Sequence, residues 1–131
     1  MLHKRNNLIS VFLVIIFFSG IAAAHHSFEA EFDANKTVKL RGKVTRFDLV
    51  NPHSWVYVDA VDENGEITNW AIQMGVPNVL IRRGITKRSI AVGTTVIIDG
   101  FQARDGSPTA FASRITFADG RAIFVGFRAR K

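Results

Sequence analysis

Apolar residues fall into two regimes along this chain, one long run near the start and short alternating stretches after it. Leu8 to Ala23 is almost wholly apolar, broken only by Ser10, Ser19 and Gly20. Lys4 and Arg5 precede it and Ala22-Ala23-Ala24 closes it. A basic start, an apolar middle and small residues at the end are the three zones of a secretory signal peptide. The run is shorter than the ~20 residues that span a hydrocarbon core comfortably, with an uncleaved anchor as the alternative. Cleavage after Ala24 is predicted, giving a signal peptide over 1–24 and His25 as the first mature residue.

The mature part opens on a polar arm, 25–36, with Phe28 and Phe32 as its apolar anchors. The period then becomes two, the spacing of a strand. Val38, Leu40 and Val44 alternate with Lys39, Arg41 and Lys43, after which the apolar phase slips to Phe47 and Leu49. A slip of one near Gly42 predicts a bulge or sharp bend. Asn51-Pro52 ends that strand, and Ser54 to Val61 reads as the next. Asn64-Gly65 predicts a hairpin in which both residues tolerate positive φ, returning through Ile67 to Met74. Pro77 suits a helix start, Arg82 and Arg83 its negative end and Gly84 its cap, so one short helix is expected, with a further turn around Thr86 to Ile90. Thr95 to Ala103, Ala110 to Phe117 and Arg121 to Phe127 complete the strands. Phe111, Ile115 and Phe117 are expected on one face, and 128–131 is a basic tail.

Three strands, a helix and two or three more strands predict an all-β domain over 37–127. The expected form is a small OB-fold-like barrel of five to six strands, with one short helix between strands 3 and 4. A bent first strand can serve two sheet edges and close such a ring. The competing architecture is an open β-sandwich-like sheet with the helix at one end. Either limits function only loosely.

Composition narrows the chemistry. The 131 residues contain no cysteine, which removes disulfides, zinc–thiolate sites and thiol catalysis. The net charge is +6, but Lys4 and Arg5 leave with the signal peptide. Acids outnumber bases from His25 to Val79. From Leu80 onward Arg82, Arg83, Lys87, Arg88, Arg104, Arg114, Arg121, Arg128, Arg130 and Lys131 face only Asp99, Asp105 and Asp119. Basic faces attract anionic polymers and membranes, although a charge run also serves simply as a solvated face. Export makes nucleic acid an unexpected partner, and signal cleavage leaves no membrane span.

Three sets of residues stand out chemically. A free amine at His25 with the imidazoles of His25 and His26 offers nitrogen donors of the kind Cu(II) prefers. His53, after Asn51-Pro52, is the other mature histidine, and a folded-back arm would let all three share one ion. Glu29, Glu31 and Asp33 lie near enough in sequence to support it. The plain alternatives are a harmless tail and a hydrogen-bonded turn histidine. The second set is the hairpin surface. Alternation puts Trp55, Tyr57 and Asp59 on one face, where Trp55 and Tyr57, with Asn51 beside them, are candidates to stack on a sugar or other flat ligand. Trp70 reads as a core residue instead. The third is catalysis, for which no nucleophile elbow, phosphate loop or dinucleotide fingerprint is present, and Asp62-Glu63 reads as a solvated turn.

Several motifs carry a resemblance: His25-His26-Ser27-Phe28, Glu31-Phe32-Asp33, Arg41-Gly42-Lys43-Val44, Asn51-Pro52-His53-Ser54-Trp55, Pro77-Asn78, Arg82-Arg83-Gly84 and Ala103-Arg104-Asp105-Gly106. Together they look like a family of small exported bacterial proteins known only as a domain of unknown function, with HHSF and NPHSW motifs. The resemblance implies export and a compact β domain, and brings no activity, ligand or catalytic residue. The leading expectation is a periplasmic or secreted, non-enzymatic binding or accessory protein, coordinating Cu(II) through His25, His26 and His53. Binding of an anionic envelope polymer or membrane surface is the alternative, and a copper-dependent oxidative enzyme the third reading.

Overall fold

The computed structural model describes residues 28–126. The chain divides into two units, Met1–Glu31 and Phe32–Lys131. In the first, residues 28–31 are helical. The second holds all the strands: β1 (Phe32–Asp48), β2 (Trp55–Val61), β3 (Ile67–Gln73), a short helix (Pro77–Arg82), β4 (Thr95–Ala103), β5 (Thr109–Phe117) and β6 (Ala122–Phe124).

These strands form one sheet that closes on itself. The order is β3-β2-β1-β4-β5-β6, and β3 also pairs with β5. The closing pair is parallel, Ala71 to Gln73 against Thr109 to Phe111, whereas the other neighbours are antiparallel. The expected all-β barrel with its helix between the third and fourth strands is therefore what the chain forms. The open sandwich is not.

Closure depends on β1, whose 17 residues serve two neighbours. Gly42 is opposite Val96 of β4 and Ala60 of β2. The strand turns from one to the other through the predicted bulge, where the register jumps from Val44↔Val58 to Arg46↔Tyr57 and leaves Thr45 as the extra residue. An inserted residue bends a strand and raises its twist, which a closed ring needs. β1 also begins at Phe32, inside the segment read as a polar arm. Phe32 is opposite Ala103 and its ring lies 5.7 Å from that of Phe111. Burial of two aromatic rings outweighs the polar residues between Phe32 and Thr37, where the register is irregular.

The interior follows the alternation. Val44, Val56, Val58, Ile72, Val96, Ile98 and Ile115 point inward, and Leu80, Ile85 and Ile90 come over from the helix and the turn behind it. Each such side chain contributes about 1.5–3 kcal/mol by leaving water. Trp70 packs partly buried against this cluster, in keeping with a core role. The expectation for β5 needs correction. Ile115 and Phe117 join the core, but Phe111 is buried with Phe32 on the other side of the sheet. The register passes from Asp99↔Arg114 to Gly100↔Ala112, so Ser113 is an extra residue that reverses the facing between Phe111 and Ile115.

Two local expectations also change. In the β2–β3 turn only Gly65 has positive φ, at 83°, and Asn64 does not. Asp62 organises the turn instead, its carboxylate accepting from the N–H groups of Asn64 at 2.8 Å and Glu66 at 2.9 Å. In the helix, Pro77 stands at the start as predicted. Arg83, read as a dipole partner, donates through Nη1 to the carbonyls of Phe124 (3.2 Å) and Gly126 (3.5 Å), tying the helix end to the last strand. That strand runs from Ala122 to Phe124. Phe127 and 128–131 lie outside the described residues.

Candidate binding face on the first three strands

The bulge at Thr45 decides what the outside of the barrel carries. Before it, β1 turns Val38, Leu40, Gly42 and Val44 inward and leaves Lys39, Arg41 and Lys43 exposed. After it, Arg46 and Asp48 take the outer positions, opposite Tyr57 and Trp55. A cationic row thus continues past the bend. Alternate strand residues repeat about every 7 Å, so the cations stand one alternation apart. Among the described residues Lys39, Arg41 and Lys43 form no ion pair, whereas Arg46 pairs with Asp48.

On β2, Trp55, Tyr57 and Asp59 face outward and are half-buried, because Val56, Val58 and Ala60 fill the core. The guanidinium of Arg46 lies over the Tyr57 ring, 3.8 Å from its centroid, while its Nε meets Asp48 at 3.0 Å. Such exposed contacts are each worth about 1 kcal/mol or less, so they orient Arg46 more than they stabilise the fold. One face of Tyr57 is therefore already covered by a flat cation. A ligand stacking there meets the guanidinium plane.

Beside this pair lies a polar group drawn from all three strands. Asn69 of β3 donates through Nδ2 to Asp59 Oδ1 at 2.7 Å and to Thr45 Oγ1 at 3.2 Å. The Thr45 hydroxyl in turn donates to the Tyr57 carbonyl at 3.2 Å. Asn69 comes to Asp59 because the hairpin register sets them opposite one another. Thr45 reaches both only as the bulged residue.

Asn51 is exposed in the β1–β2 connection, at the same end of the hairpin as the Asp48–Trp55 pair. His53 is half-buried in that connection. Next to it the Ser54 side chain is fully buried, and its Oγ has no partner among the described residues. His25 and His26 lie outside the described residues. Among those described, no group of three or more His, Cys, Asp or Glu side chains is placed to hold a metal ion. No helix among them is long and apolar enough to cross a membrane.

The sequence places Trp55, Tyr57 and Asp59 on one face and alternates Lys39, Arg41 and Lys43 with the apolar positions, but by itself it assigns no binding role to that row, to Arg46 or to Thr45. The signal was the polar half of the same alternation that located the core. Its continuation through Arg46 required the bulge to be placed at Thr45. No curated protein and no solved structure matches the chain. A family model does, over residues 14–112, which takes in the whole of β1 to β4 and this face, and the chain belongs to that family of unknown function, DUF6152.

Proposed function

We propose that this protein is an exported binding module, acting in the periplasm or outside the cell, and that its ligand is an anionic polymer of the envelope. The polymer lies along the outer face of β1, β2 and β3. The observation that carries this reading is the outward row Lys39, Arg41, Lys43 and Arg46, bordered by Tyr57 and Trp55. A linear ridge of cations on a rigid strand suits a chain with repeating negative charge, because positions fixed by hydrogen-bonded backbone are not reordered on binding. Half-buried aromatic rings and the exposed guanidinium of Arg46 beside the ridge give such a chain something flat to rest on.

The basic second half, which composition alone favoured, is the competing surface. Arg82, Lys87 and Arg88 are exposed, but no outward aromatic accompanies them in the helix and the turn behind it. The test compares the two. The mature protein is bound to an immobilised anionic polysaccharide and eluted with salt, beside a Lys39/Arg41/Lys43→Ser variant and an Arg82/Lys87/Arg88→Ser variant. Removal of the β1 cations is expected to lower the eluting salt sharply and to reduce the slope of log affinity against log salt by about 2–3, the share of three cations. Equal losses in the two variants would mean net charge alone is read, and the reading would fail.

A further inference from the structure

Resting on that reading, we infer that the polymer is a hydroxyl-bearing acidic glycan rather than a polyphosphate chain. The hydrogen-bonding capacity left over around Asp59 separates the two. The Asn69 amide N–H₂ is committed to Asp59 Oδ1 and Thr45 Oγ1, and the Thr45 proton to the Tyr57 carbonyl. What this group still offers is the second oxygen of the Asp59 carboxylate and Oδ1 of Asn69, both of which only accept. A ligand that satisfies them must bring donors. Sugar hydroxyls do so. Bridging and non-bridging phosphate oxygens do not, and they are repelled by the Asp59 charge.

The acidic groups of the same ligand have their own place. Arg46 lies over the Tyr57 ring with its Nε 3.0 Å from Asp48, and its side chain stays 59% exposed and so open to a ligand. Lys43 is opposite Asp59 across the β1–β2 pair, so cation and acceptor alternate over the width of one strand. A sugar ring resting against the Arg46–Tyr57 stack would set its carboxylate or other acidic substituent toward Arg46 and Lys43. Its free hydroxyls would then meet Asp59 and Asn69. The preference comes from the acceptors, which hydroxyl donors match and phosphate oxygens do not; with Asn69 exposed and Asp59 half-buried, water competes for them, so the preference is on the order of tenfold. The cations supply attraction without that selectivity.

Calorimetry at one fixed ionic strength tests this with a polyuronate oligomer, an inorganic polyphosphate of equal charge and a neutral glucan oligomer. The wild-type protein is expected to bind polyuronate at least tenfold tighter than polyphosphate and to bind glucan weakly. Asn69→Ala should weaken polyuronate about tenfold and leave polyphosphate unchanged. Asp59→Asn should narrow the preference between the two acidic polymers. Asn69 is exposed and Asp59→Asn keeps the side chain's shape, so both variants are read beside an unchanged melting curve. Equal binding of polyuronate and polyphosphate, or a preference indifferent to both substitutions, overturns the glycan assignment while the anionic-polymer reading stands. Binding of neither acidic polymer, or of glucan as tightly as polyuronate, removes the anionic reading itself.

Discussion

A side-chain carbon on Gly42 would stand 2.6 Å from the backbone oxygen of Asp59, so β1 and β2 approach each other more closely there than any other residue allows. The same approach fixes Asp59 beside β1 and so helps to place the acceptor side of the binding face. Gly42→Ala is expected to destabilise the barrel by about 1–3 kcal/mol, the cost of forcing atoms into a packed site. A urea unfolding series would show it as a lower midpoint with little change in slope. An unchanged midpoint would mean that the strands separate freely.

Arg83 joins the helix end to the carbonyls of Phe124 and Gly126. Arg83→Ala should loosen the last strand before the rest of the barrel. Hydrogen exchange is expected to speed at Val125, whose N–H bonds to Ser113, and at Gly75, whose N–H bonds to Val125. Exchange in β1 and β2 should stay as it is.

Two exposed turn carboxylates respond to pH. Asp119 is lowered below its ordinary value of 3.8 chiefly by its hydrogen bond with the Arg121 side chain, and Asp105 by its hydrogen bonds with Ser107. A depressed folded-state pKa means that these groups support the fold above pH ~4 and lose that support as pH falls through the lower folded value. Asp105→Asn with Asp119→Asn should therefore show a shallower fall in melting temperature below pH ~4. Identical acid profiles would contradict the assignment.

The Cu(II) reading of the sequence turns on whether His53 shares the ion with His25 and His26, which lie outside the described residues. His53 has no cluster of ligating side chains around it among the described residues. If the Cu(II) ligands are the N-terminal amine, His25 and His26, then His53→Ala leaves affinity unchanged in a Cu(II) titration of the mature protein, and a blocked or absent His25 abolishes it. A loss of tenfold or more in His53→Ala would show instead that the three histidines share one ion.

Much of the barrel was legible because it rests on period-two alternation, which β1 to β4 keep plainly. The bulge near Gly42 could be read from the phase slip between Val44 and Phe47. Its counterpart at Ser113 could not, since Phe111, Ile115 and Phe117 look in phase until the partner strand shows one residue unpaired. Facing is a property of pairing, not of one strand. For the same reason Tyr57 was visible as an outward aromatic, while its cover by Arg46 was not. That stack depends on a register that skips Thr45.

An acidic chain is proposed to lie along β1 and across the hairpin. Mapping backbone amide shifts in a protein that begins at His25, during titration with a polyuronate oligomer, tests it most directly. The predicted result is a contiguous set of shifts at Lys39 to Arg46, Trp55 to Asp59 and Asn69, with Arg82 to Arg88 unmoved. Shifts confined to Arg82 to Arg88, or scattered over every exposed cation, would contradict it.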